Sequence, residues 1–256
     1  MRLGAFCCVY NQERFIGPAI EQLLPYVEEF VVHVSKTPWV GDPEPEDRTV
    51  QLVQRYFVDE VRPEDRKVRL YHETWPDEAC QRNQALGKLR WCDYVWVVDA
   101  DEYYTRHDIG KIFAQVADTK QDVYTIKQRS YWKTPDWRWE PGDTWPPAIL
   151  VNPKRTFFYH CRAVVQGLEE CALTQHVFMH HFNYVRTDAE LESKMKHFSH
   201  AGDIRPEWWR TAWKGWEPGS SVDICPYRGS WRPQAIYDPA PQEIIDRFQQ
   251  WQEKLT

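Results

Sequence analysis

Asp99, Asp101 and Glu102 stand directly after the apolar run 94–98, so a segment patterned for burial ends in three negative charges. In extended backbone, residues i and i+2 point the same way, and Asp99 and Asp101 can therefore face one ligand. Carboxylates held that close repel each other. A hard divalent cation, Mg2+ or Mn2+, relieves the repulsion, prefers oxygen ligands and keeps open positions for phosphate oxygens. The competing explanation is a helix start: Thr105 or Asp108 opens the next helical stretch, and nearby acids would favour its dipole. That explains one acid better than three. A D-x-D pair alone is weak, since average composition supplies about one by chance in a chain this long. Position strengthens this pair, and the pattern implies a metal-held phosphate ligand.

The elements that must position the pair alternate along the chain. Residues 3–10 form a continuous apolar run, as a strand buried on both faces does. Phe15, Ile16, Ile20, Leu23 and Leu24 then recur at helical spacing, with Pro25 near the helix end. Further strands read at 30–35, 67–73 and 93–98. Helices read at 48–57 and 77–90, with Asp77 placed to cap the second. The order βαβαβαβ predicts an α/β fold with a mostly parallel, helix-covered sheet. Ligands of such sheets bind at the carboxyl ends of the strands, where Asp99, Asp101 and the stretch YNQER after strand one all fall.

From about residue 120 the pattern changes. A strand is expected at 122–132, a Trp/Pro-rich loop at 131–147, and shorter strands at 148–153, 156–160 and 176–185. A helix over 188–202 has Gly202 as a stop; 203–238 reads as irregular, and 241–255 as an amphipathic helix. With no repeat or linker, one domain over 1–256 is expected. Its parts would be a nucleotide-binding half (1–118), an acceptor and metal half (119–202) and a C-terminal extension (203–256).

The 256 residues are 42% hydrophobic and 27% charged, which supports a packed core and excludes global disorder. No run approaches the roughly 18 to 20 apolar residues of a bilayer span. The start lacks a secretory leader pattern, so a cytoplasmic address is expected. A net charge of −6 gives no support for non-specific polyanion binding. The seven cysteines (7, 8, 80, 92, 161, 171 and 225) are odd in number and form no CxxC pair, so they read as reduced and structural. Tryptophan is abundant, with 14 residues, several inside 131–147. Exposed aromatics there could stack on sugars or bases, although anchoring a loop to the body is the commoner fate of a single Trp.

VYNQERFI at 9–16, RNQAL at 82–86 and DYVWVVDADEYYT at 93–105 together resemble the GT-A glycosyltransferases, especially family two. The resemblance covers about residues 3–118 well and fades towards 200. It implies a GT-A (Rossmann-like) sheet and assigns Val9, Tyr10, Asn11 and Glu13 to the nucleotide. It places Arg82 and Asn83 near the donor sugar or diphosphate; a guanidinium fork suits phosphate, though a surface helix Arg is the plainer reading. Asp99 would face the ribose and metal-bound water, and Asp101 would ligate the metal. A His from the second half commonly completes the site. His180 and His181 point to opposite faces of a strand, and the relatives' spacing of aromatics after the His selects His181. One departure stands out. The Asp that often ends strand two and reads uracil is missing, and Ser35 or Lys36 occupies its place. A UDP-sugar is still the donor expected first.

The function expected is transfer of a hexosyl or pentosyl group from a nucleotide-diphosphate sugar to an acceptor hydroxyl, assisted by Mn2+ or Mg2+. An inverting enzyme needs a carboxylate base. Asp136 and Glu140 in the Trp-rich loop are candidates, with Glu169 and Glu170 behind them, and Trp132, Trp137 and Trp139 would shape the acceptor site. His197 and His200, near Lys194 and Lys196, could offset diphosphate charge or simply face water. Two other readings compete. A nucleotidyltransferase would carry a Gly-rich phosphate loop after strand one, and none is present. A non-catalytic carbohydrate- or nucleic-acid-binding module explains the aromatics but not the acids. The acceptor would be a saccharide or another hydroxyl, with modified DNA disfavoured by charge.

Overall fold

Strand β1 (Leu3–Val9) is buried at every position, which is why its sequence shows no alternation. The computed structural model describes residues 1–165, 167–173, 176–229 and 231–256. After β1 come α1 (Ile16–Glu21), β2 (Glu29–Ser35), α2 (Thr49–Gln54), β3 (Val68–Glu73), α3 (Glu78–Lys88) and β4 (Tyr94–Val97). β1 pairs in parallel with β2 and with β4, and β2 in parallel with β3. Asp77 caps α3 by accepting from Cys80 N at 2.7 Å. The chain then turns at 99–101 into β5 (Glu102–Tyr103) and α4 (Arg106–Thr119), which Thr105 caps.

The second half adds β6 (Val123–Thr125), β7 (Lys127–Trp132), β8 (Thr134–Glu140), β9 (Ala148–Val151), β10 (Phe158–His160), β11 (Ala163–Val164), β12 (Glu170–Ala172) and β13 (Phe178–Tyr184). It closes with α5 (Asp188–His197), β14 (Gln234–Tyr237) and α6 (Gln242–Leu255). The large sheet runs β12-β6-β9-β4-β1-β2-β3, and only β9 is antiparallel to its neighbours. This is the mostly parallel α/β sheet expected. A second sheet, β14-β8-β7-β13-β5, flanks the carboxylate turn. Among the described residues, no helix is long and apolar enough to cross a membrane.

Four expectations are corrected. The strand expected at 122–132 breaks at Ile126, so β6 joins the large sheet and β7 the second. The stretch 131–147 is only partly loop. β7 and β8 form a hairpin that turns at Lys133 (φ 60°), and β14 pairs with β8 on its other side. The stretch 203–238 is not irregular throughout, since it ends in β14, and it is well packed: Trp208, Trp213 and Ile224 bury themselves with Trp132, Trp139 and Tyr184 in a separate apolar cluster. Apolar burial, rather than backbone regularity, orders this part of the chain. α5 also ends at His197, short of Gly202.

The last helix returns to the first. Trp251 is fully buried against α1, where a Cβ on Gly17 would lie 2.2 Å from the indole. Trp251 Nε1 donates to the Glu13 carbonyl and Gln252 Nε2 to that of Arg14, both at 2.8 Å. The loop after β1 is thus held from behind.

Candidate functional site

A cavity of about 1000 Å3 opens at the carboxyl ends of β1 and β4. Val9, Tyr10, Asn11, Glu13, Arg82, Asp99, Asp101 and His181 all line it. The loop after β1 is shaped by Asn11 in left-handed backbone (φ 48°), a conformation Asn tolerates better than most residues. Asn11 Nδ2 donates to the Pro45 carbonyl at 3.0 Å, and its Oδ1 accepts from Asp47 N at 3.1 Å. The Tyr10 hydroxyl accepts from Glu44 N at 2.8 Å. Loop 42–47 is therefore stapled over the strand end.

The carboxylates after β4 are ringed by cations. Asp99 accepts from Arg82 at 2.8 Å and lies 3.7 Å from Arg162. Arg82 also pairs with Glu78, its neighbour one turn back on α3, at 2.5 Å. Arg162 forks both oxygens of Glu102 at 2.7 and 2.6 Å. Asp101 Oδ2 accepts from Lys194 at 2.7 Å and Arg186 at 2.8 Å. Burial alone would raise the Asp101 carboxyl, but Lys194, His181 and Arg186 outweigh it and hold the group well below the usual range. Asp99 is held down in the same way, burial being outweighed by Arg162 and Arg82.

Room for a divalent ion is decided by Asp101 Oδ1, whose neighbour is His181 Nε2 at 3.4 Å. Two ligands at right angles on one ion, with bonds of about 2.1 Å, stand roughly 3 Å apart. These two atoms fit such an ion while Lys194 and Arg186 keep Oδ2. Asp99 does not join them, since the ligating atoms of Asp99, Asp101 and His181 do not all lie within 4.8 Å of one another. His180 turns the other way. It meets the Tyr131 hydroxyl at 2.8 Å, and burial pushes its pKa down to about 3.

Other expected residues stand elsewhere. Ser35 is buried and donates to the Thr37 carbonyl at 2.6 Å; it does not line the cavity. Asn83 pins β10 by bonding both backbone groups of Phe158, at 2.7 and 2.9 Å. Trp132 and Trp139 are 0% and 2% exposed in the aromatic cluster, so neither can stack on an acceptor; Trp137 packs on Trp216 and Tyr237. Asp136 accepts from Thr134, and Glu140 pairs with Arg138; both lie outside the cavity because they belong to a sheet strand and not to a loop. Glu169 and Glu170 sit beside β6, at the far edge of the large sheet. The segment instead contributes Asp143, Thr144, Trp145 and Pro147, from the loop between β8 and β9. Asp143 Oδ1 accepts from Trp145 N at 3.1 Å. Among the described residues, Asp143 is the cavity carboxylate with no Lys, Arg or His in ion-pair range and without backbone donors on both oxygens.

Arg162 and Arg186 escaped the sequence reading. Their carboxylate partners lie 60 and 85 residues away, and nothing local marks either arginine.

The family model for glycosyl transferase family 2 matches residues 5–168. No curated protein matches the chain. Among solved structures, S. aureus TarS is similar at 16% identity over 71% of this chain and 36% of its own, with a TM-score of 0.46. TarS 1-349 in complex with UDP-GlcNAc is similar at 23% identity over 51% of this chain and 35% of its own, with a TM-score of 0.37. A mycobacterial protein is similar at 14% identity over 80% and 77%, with a TM-score of 0.46. The chain thus spans little more than a third of the first of these structures.

Proposed function

The chain belongs to glycosyl transferase family 2, and on that premise we propose that it moves a sugar from a nucleoside-diphosphate sugar, first a UDP-sugar, to an acceptor hydroxyl. One observation carries the reading: the strand-end cavity joins a nucleotide-sized cleft to the pair Asp99 and Asp101 and to four cations, Arg82, Arg162, Arg186 and Lys194. Those cations balance buried acids now and are placed to share their hydrogen bonds with phosphate oxygens. Val9, Tyr10, Asn11 and Glu13 take the nucleoside, with Asp99 on the ribose side. Asp101 and His181 would hold Mn2+ or Mg2+, which when bound supplies Lewis-acid neutralisation of the departing diphosphate. Asp143 takes the proton of the acceptor hydroxyl, and the half-exposed Trp145 beside it gives a saccharide acceptor a face to stack on. Holding both substrates in line supplies much of the remaining acceleration. The expected cytoplasmic address belongs to the same proposal, and cell fractionation tests it.

A thermal-shift screen of nucleotide sugars with and without Mn2+ tests the donor. A matching donor at about 100 times its Kd adds about 2.7 kcal/mol of stability. Asp101→Ala should remove the Mn2+-dependent part of the shift. A folded protein that no nucleotide sugar stabilises, with or without the ion, would refute the proposal.

A further inference from the structure

Among the described residues, the His/Cys/Asp/Glu groups with three ligating atoms all within 4.8 Å of one another reduce to a single set: His160, Cys161 and His200. This set is separate from Asp101 and His181. His160 ends β10, Cys161 follows it in left-handed backbone (φ 38°), and His200 comes from the segment after α5. A strained non-glycine residue of this kind is commonly found where a site fixes the backbone. Tetrahedral Zn2+, with bonds of about 2.3 Å to sulfur and 2.05 Å to nitrogen, sets two such ligands roughly 3.6 Å apart. Cys161 Sγ and His200 Nε2 are 3.6 Å apart. The other ring nitrogen of His200 faces the Asp203 carboxylate at 3.3 Å, the outer contact that fixes the tautomer of a metal-bound histidine.

We propose that Cys161, His200 and His160 form a Zn2+ site in the cavity wall, with Asp203 orienting His200 and the fourth position open. The proposal does not depend on sugar transfer. Binding forms the Zn–S bond as the thiol proton leaves to solvent. The thiol's present neighbour is Ser199 Oγ at 3.0 Å, which itself donates to Glu78, the partner of Arg82. An occupied site would tie the β10–β11 turn to the exit of α5, two walls of the donor cavity.

The sequence could not show this. Its ligands are two adjacent residues and one about 40 positions on, with no CxxC spacing.

Titration with Co2+ alone is the test. In the full chain one equivalent should bind with a near-ultraviolet thiolate-to-cobalt band and the visible bands of a four-coordinate ion, and Zn2+ should displace it. Cys161→Ser should lose the thiolate band, Asp203→Ala should weaken binding about 10- to 100-fold, and Asp101→Ala should keep the band. Zn2+ should also slow alkylation of Cys161 by iodoacetamide in the unaltered protein, as read by peptide mapping, which needs no variant to fold. A thiolate band that survives Cys161→Ser, or Cys161 alkylation at the same rate with and without Zn2+, would overturn the proposal.

Discussion

Glu102→Gln should be among the most destabilising single changes near the carboxylate turn. Glu102 and Arg162 are 2% and 4% exposed, and the guanidinium spends both of its terminal nitrogens on this carboxylate. Arg162 also donates to the Val97 carbonyl at 2.9 Å, and Glu102 accepts from Asp99 N at 2.9 Å. The pair therefore pins the exit of β4 to the turn that follows. Without the Glu102 charge, Arg162 stays buried with only Asp99, 3.7 Å away, as an acidic partner. Breaking a buried pair from one side costs about 3–5 kcal/mol. With a urea dependence of about 3 kcal/mol per molar, the unfolding midpoint should fall by about 1–1.7 M. Removing both charges, as in Glu102→Gln with Arg162→Met, leaves no orphan. The double variant should lose less than the summed singles by about 2–3 kcal/mol. Urea unfolding followed by fluorescence and circular dichroism reads all four proteins. Strictly additive losses would show that the two groups do not depend on each other, and the account of the turn would fail.

Acid sensitivity should begin well above the carboxylate range. His33 and His180 are depressed chiefly by burial, to about 4 and about 3, so their contribution is complete above the unfolded value near 6.5 and is lost as pH falls below it. Stability should drop by about 1.4 kcal/mol per pH unit for each histidine between about 6.5 and 4, and His180→Gln should halve that slope in urea titrations at stepped pH. Asp143→Asn should lower kcat by about 10²- to 10⁴-fold while leaving the donor-induced thermal shift intact; loss of the shift as well would assign Asp143 to binding. Trp132→Ala should cost about 3–5 kcal/mol by chemical denaturation. Trp145→Ala should cost under about 0.5 kcal/mol and raise the KM for acceptor; the reverse ranking would place the acceptor platform in the hairpin after all.

The first half of the fold was legible because its signals are local and periodic. β1 is apolar at every position, α3 has its Asp77 cap, and the alternation of strands and helices dictates a parallel sheet. The period-2 rule also separates His180 from His181, and only His181 faces the cavity. What failed was non-local. Stretch 131–147 has the Trp, Pro and Gly content of a loop, yet Thr134–Glu140 is a sheet strand held between β7 and β14, the latter about a hundred residues later. Its tryptophans looked like platforms because their covering residues, Trp208 to Trp216, carry no regular pattern. Half of the cation ring was invisible for the same reason: Arg162 and Arg186 acquire meaning only beside acids distant in sequence.

The grip of Trp251 and Gln252 on the loop of Glu13 and Arg14 spans 238 residues. During synthesis, the large sheet can assemble while its ligand loop still lacks that support, because α6 has yet to leave the ribosome. A nascent chain truncated before α6 should therefore look folded to circular dichroism and yet grasp nucleotide poorly. Competence for ligand would arrive late and abruptly, with the emergence of one tryptophan.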